Sequence, residues 1–139
     1  VKSFNPSIAI LVVDDHAAMR KTIAYILRQV GFKNLHFAED GETAWQVITT
    51  VPVDLLLLDW NMPRMSGLEL LERIRRSALY EKMPVLMVTA EANEDAVLLA
   101  INAGVTNYVV KPFTPETLLK KVRDTYERTE NLKPPVRRR

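Results

Sequence analysis

Short, nearly unbroken apolar runs alternate with amphipathic stretches along this chain, and that alternation limits the fold more than any other feature. The runs are Ile8–Val13, Leu35–Ala38, Leu55–Leu58, Val85–Val88 and Tyr108–Val110. The first, third and fourth are apolar at almost every position, as parallel strands covered on both faces must be. Between the runs, apolar residues recur at helical spacing. Met19, Ile23, Ile26, Leu27 and Val30 form one stripe, and Gly31 stands where a helix C′ residue belongs. Ala44, Val47, Ile48 and Val51 form a second stripe, with Asp40 as its N-cap. Ser66-Gly67-Leu68-Glu69 reads as a capping box ahead of Leu70, Leu71 and Ile74. A fourth helix is predicted from about Glu94 to Ala103, closed by Gly104. A fifth opens with Thr114 as N-cap and Pro115 at N1, followed by Leu118, Leu119, Val122 and Tyr126.

A strand–helix unit repeated in this way predicts a parallel sheet with right-handed crossovers and helices on both faces. Five strands in 139 residues fit a flavodoxin-like (βα)5 α/β fold with strand order 2-1-3-4-5. The length sets one domain, expected over 8–129, with an N-terminal arm at 1–7 and a basic, Pro-containing tail at 130–139. The absence of cysteine excludes a disulfide scaffold and any thiolate-bound zinc or iron–sulfur site. Two histidines are too few for a His-rich metal site. The net charge of +2 is a property of the tail: Lys133, Arg137, Arg138 and Arg139 lie in the last seven residues, and the rest of the chain sums to −2. A basic balance of that origin does not mark the folded body as nucleic-acid binding. No apolar run approaches the ~20 residues of a membrane helix, and Val1–Pro6 holds no signal-peptide core.

Open parallel sheets bind ligands beyond the carboxyl ends of their strands. Asp14 and Asp15 follow the first run, Asp59 the third, Thr89 and Ala90 the fourth, and Lys111-Pro112-Phe113 the fifth. Two like charges at ~4 Å repel by roughly 4 kcal/mol at an effective dielectric near 20. Three crowded carboxylates therefore call for protons, a cation or a metal. An oxygen-only site with few protein ligands suits Mg²⁺. Lys111 supplies a point charge for a phosphoryl oxygen and Thr89 a hydroxyl donor. Taken singly, each residue has an ordinary structural reading: Asp14 or Asp15 as a helix N-cap, Asp59 in a loop, Lys111 in an ion pair. Four of five strand ends delivering compatible chemistry to one edge form a constellation for phosphoryl transfer, with a carboxylate as nucleophile.

Asp14-Asp15, Asp59-Trp60-Asn61-Met62-Pro63, Met87-Val88-Thr89-Ala90-Glu91-Ala92 and Tyr108-Val109-Val110-Lys111-Pro112-Phe113-Thr114 occur in this order. In them the chain resembles the receiver domain of two-component response regulators, over roughly Ile8 to Arg128. Within that family it resembles the chemotaxis type, the CheY-like chains. The resemblance implies that Asp59 accepts a phosphoryl group from a histidine kinase. It implies Mg²⁺ held by the side chains of Asp15 and Asp59 and the backbone carbonyl of Asn61, with Asp14 assisting. It implies that Thr89 and Lys111 hold phosphoryl oxygens, that Tyr108 changes rotamer as Thr89 moves, and that the Lys111–Pro112 bond is cis. It also implies an output face on the fourth helix, fifth strand and fifth helix, centred on Val97, Ile101, Tyr108 and Lys121, and a cytoplasmic protein signalling by protein–protein contact, without nucleic acid or membrane.

Three departures stand out. His16 follows the acidic pair where such chains often carry an aromatic or aliphatic residue, Ser66 stands where Asp is common, and the tail Asn131–Arg139 has no counterpart in a minimal receiver. Neither His16 nor Ser66 is expected to touch the chemistry. Trp60 is expected near the site, Trp45 partly buried on its helix. The run Ala96–Ile101 covers more than one helical turn, so it either packs into a crevice or faces a partner. Rival readings are a receiver trimmed from a longer regulator, a Mg²⁺-dependent phosphohydrolase with an aspartyl nucleophile, and a binding module with vestigial acids. Such haloacid-dehalogenase-like hydrolases carry a second Asp two residues after the nucleophile, where this chain has Asn61.

Overall fold

The computed structural model describes residues 5–90 and 93–132, the last four, 129–132, as backbone alone. Residues 1–4 of the expected arm, Glu91-Ala92 of the third motif and Lys133–Arg139 of the expected tail lie outside the described residues. Five strands and five helices alternate: β1 (Ile10–Val13), α1 (Ala17–Gln29), β2 (Leu35–Ala38), α2 (Gly41–Thr50), β3 (Leu55–Asp59), α3 (Gly67–Arg75), β4 (Val85–Thr89), α4 (Glu94–Ala103), β5 (Asn107–Val110) and α5 (Pro115–Leu132). The strands form one parallel sheet in the order β2-β1-β3-β4-β5.

Strand alternation splits the core in two. Leu11, Val13, Leu56, Leu58, Val85 and Met87 face α2, α3 and α4, where they meet Ala44, Ile48, Leu70, Leu71, Ile74 and Ala100. Ile10, Val12, Leu55, Leu57, Leu86 and Val88 face α1 and α5, against Ile23, Ile26, Leu27, Leu118 and Val122. Leu57 and Leu58, adjacent in sequence, thus serve opposite layers, which is why β3 is apolar without alternation.

The helix boundaries follow their caps. Asp40 accepts the Thr43 N–H, the Ser66 capping box is complete in both directions, and Thr114 accepts the Thr117 N–H. Gly31 and Gly104 take φ of 104° and 99° just past α1 and α4, a region costly for any residue with a Cβ. Neither Asp14 nor Asp15 caps α1. The N-cap is His16, and Asp14 Oδ1 instead accepts the His16 N–H at 2.9 Å. α5 runs to Leu132, and the chain meets no proline before Pro134.

α4 resolves the question posed by its apolar run. Two of its alanines, Ala96 and Ala100, take the buried stripe, while Leu98, Leu99 and Ile101 are 51, 53 and 54% exposed. Only small side chains let this short helix lie close to the sheet, so the large ones are left outside.

Candidate metal centre at the carboxyl ends of the strands

β1, β3, β4 and β5 end side by side, and the residues at or just past their ends converge. Asp14, Asp59 and Thr89 are buried; Asp15 is partly exposed. Lys111 Nζ lies 3.0 Å from Asp14 Oδ2 and 3.6 Å from Asp59 Oδ1, bridging two acids that are 45 residues apart in the chain. The Lys111 N–H donates to Thr89 O at 2.8 Å, which fixes the start of the lysine's loop against the end of β4. The Lys111–Pro112 bond is cis, as the resemblance implied. Arg20 donates to the Asp14 carbonyl at 2.7 Å, anchoring α1 to the same edge.

Burial pushes the Asp59 carboxyl up from 3.8 to about 6. The Lys111 charge opposes that shift, Asp14 and Asp15 add to it, and a hydrogen bond from the Trp60 N–H opposes it again. Three carboxylates against one ammonium leave a surplus of negative charge in a low-dielectric pocket. Asp15 Oδ1 is buried and meets no hydrogen-bond donor among the described residues. Crowded carboxylate oxygens with an unsatisfied buried member fit a hard divalent cation such as Mg²⁺.

Asn61 lies exposed in the loop after β3, between Trp60, which is buried against the α3 side of the core, and the start of α3. Gly67 makes that loop possible. Its N–H donates to Trp60 O, and a Cβ there would stand 2.4 Å from the Asp59 carbonyl. Tyr108 is half-buried on β5 with Lys121 Nζ 5.2 Å from its ring centroid. Val97 is half-buried and Ile101 exposed on α4. Trp45 is partly buried, as expected, held by Arg73 over its face at 4.4 Å and the Tyr80 ring edge-on at 5.8 Å.

His16 corrects the sequence reading. Its Nδ1 lies 3.2 Å from Asp14 Oδ1 and 3.1 Å from Asp15 Oδ1, so the residue does touch the acidic cluster. Its place directly after two site acids was the available signal. Sequence reasoning also missed Arg64, which pairs with the buried Asp40 across the neighbouring loops and holds a positive φ of 66°.

Residues 10–123 match the response regulator receiver domain family. The chain belongs to that family. The receiver is 46% identical to the chemotaxis protein CheY of Pseudomonas aeruginosa over 119 residues, covering 86% of this chain and 96% of the relative. It is 46% identical to a CheY homologue of Campylobacter jejuni over 116 residues, covering 83% and 89%. The solved structure of the chemotaxis response regulator CheY4 of Vibrio cholerae superposes with a TM-score of 0.80 at 32% identity, covering 86% of this chain and 98% of that one. Receivers are phosphorylation-activated switches of two-component signalling, and their acidic cluster generally binds Mg²⁺; this chain is such a switch and carries such a cluster.

Proposed function

We propose that the receiver takes its phosphoryl group on Asp59 from the phosphohistidine of a histidine kinase and signals as CheY-type proteins do. The observation that carries this reading is the pair of buried acids Asp14 and Asp59 with the partly buried Lys111, its ammonium within 3.6 Å of both carboxylates. An Asp59 oxygen attacks phosphorus; the O–P bond forms as the N–P bond of the donor breaks, and the imidazole leaves with the electron pair. Lys111 holds one phosphoryl oxygen as a point charge, and the Thr89 hydroxyl donates to another. The side chains of Asp15 and Asp59 and the Asn61 carbonyl hold Mg²⁺, with Asp14 assisting; the ion supplies neutralisation of the phosphoryl oxygens. With water in place of imidazole the same groups return the phosphoryl group to solvent, so the receiver assists its own dephosphorylation and is otherwise no enzyme.

The output face is α4–β5–α5, centred on Val97, Ile101, Tyr108 and Lys121. The exposed Leu98, Leu99 and Ile101 support a protein partner there. Thr89, drawn toward the phosphoryl group, makes room for a new Tyr108 rotamer. The chemotaxis names of the relatives support a chemotaxis partner. The working unit is 8–129, in the cytoplasm with its kinase, flanked by 1–7 and 130–139. No helix among the described residues is long and apolar enough to cross a membrane.

The test is phosphorylation by acetyl phosphate with Mg²⁺, read by intact mass and peptide mapping. One phosphoryl group is expected on the wild type and none on Asp59→Asn. Full labelling of Asp59→Asn overturns the assignment.

A further inference from the structure

His16 stands at the mouth of the site, and the contacts given for its imidazole are to the site's acids. It is the N-cap of α1, yet its side chain makes no capping bond. The ring is 71% exposed, but Nδ1 points at the acids, 3.2 Å from Asp14 Oδ1 and 3.1 Å from Asp15 Oδ1. One ligand atom from each of Asp14, Asp15, His16 and Asp59 lies within 4.8 Å of the others.

The spacing suits a shared ion. Two ligand atoms at ~2.1 Å from a metal are about 3.0 Å apart in octahedral geometry and about 3.4 Å apart in tetrahedral geometry. The His16–Asp15 separation falls between them. Both Asp14 oxygens already have partners, Oδ1 the His16 N–H and the His16 ring Nδ1, and Oδ2 Lys111. Asp15 Oδ1 makes no hydrogen bond among the described residues. His16 Nδ1 and Asp15 Oδ1 therefore face each other at 3.1 Å beside Asp59, and a metal that displaces the proton from Nδ1 to Nε2 finds both atoms placed as ligands. An all-oxygen set favours Mg²⁺, whereas one imidazole raises the affinity for Ni²⁺ and Zn²⁺, which stand above the early divalent ions in affinity for nitrogen-containing sites.

We propose that His16 is a nitrogen ligand of this centre, so that the receiver binds Ni²⁺ and Zn²⁺ through His16, Asp15 and Asp59 as well as Mg²⁺ through its oxygens. This rests on the reading above only in sharing its acids.

The experiment is calorimetric titration of the untagged full chain with NiCl₂, ZnCl₂ and MgCl₂ in turn. His16→Ala and His16→Asn are compared with His36→Ala, which removes the other histidine, a surface ring beside Asn34. Circular dichroism checks that each variant folds. Loss of at least tenfold in Ni²⁺ and Zn²⁺ affinity in both His16 variants, with Mg²⁺ affinity within threefold and His36→Ala unchanged, supports the ligand. A shift of the His16 ring nitrogen resonance on adding Zn²⁺ is the second expected sign. Ni²⁺ and Zn²⁺ affinities within threefold of wild type in His16→Ala overturn it, and so does loss that follows His36 instead. Failure of Mg²⁺ to bind, with Asp59→Asn still labelled, would sink the phosphorylation reading while leaving His16-dependent Ni²⁺ binding to stand by itself.

Discussion

At neutral pH Asp59 is ionised in a pocket that resists its charge, since its carboxyl titrates at about 6 and not at 3.8. Between those values the folded chain holds a proton that the unfolded chain has lost. Stability therefore falls as pH rises through that window and levels off above it. Two pKa units correspond to about 3 kcal/mol. Asp59→Asn, measured in EDTA, is expected to be more stable than wild type at pH 7.5 by roughly 1–3 kcal/mol, with the gap closing near pH 4. Equal urea midpoints at pH 7.5 would contradict the strained carboxylate. Asp40 has the opposite sign. The Thr43 N–H first, and Arg64 second, hold its carboxyl below 3.8. Its contribution is present above that value and is lost as pH falls through the lower folded value, so Asp40→Asn should flatten the acid limb of the stability curve at a cost of about 1 kcal/mol at pH 7.

Between elements, the least obvious tie is Arg75, in the last turn of α3. Arg75 is half-buried, with no acid partner among the described residues. It donates to the carbonyls of Gly104 at 2.8 Å, Glu81 at 2.9 Å and Met83 at 2.7 Å. Burial lowers its pKa, and the three carbonyls hold its charge in place. The cation also sits at the C-terminus of α4, where the helix dipole favours it. Arg75→Met should cost about 1–3 kcal/mol, because it leaves the partly buried Gly104 and Met83 carbonyls without that donor. A chemical melt within 0.5 kcal/mol of wild type would show that water replaces the arginine at no cost. α4 buries Ala96 and Ala100, packs Ala103 partly buried against the core, and is tied at its end by this contact. A helix with so small a buried stripe is the natural element to shift when the site fills.

At the scale of the molecule, the acidic edge and the α4–β5–α5 face are joined by β4 and β5, paired from Leu86–Asn107 to Thr89–Val110. Mg²⁺ at a hundredfold excess over its Kd should add about 2.7 kcal/mol of stability, read as a higher Tm. An unchanged Tm, with no heat of binding, would speak against the metal centre. Beryllofluoride with Mg²⁺ should change amide exchange not only around Asp59 but across Val97–Tyr108. A tenfold shift toward the active packing needs ~1.4 kcal/mol of preferential binding, about one charge-assisted hydrogen bond. Changes confined to the loops beyond the strands would refute the coupling.

The sequence by itself determined the five strands, the caps of α2 and α3, the glycine stops after α1 and α4, and the edge at which Asp14, Asp59, Thr89 and Lys111 meet. Each is written in a few neighbouring residues: continuous apolar runs for strands buried on both faces, Ser66 and Glu69 for a cap, strict alternation for a parallel sheet whose loops share one edge. Tertiary structure alone decided which side of α4 lies outside, since six consecutive apolar residues carry no phase. It also decided that His16 turns toward the acids, that Arg64 reaches Asp40 across 24 positions, and that Arg75 reaches Gly104 across 29. Such contacts depend on where crossovers set one loop or helix end against another, and residue periodicity holds no record of that distance.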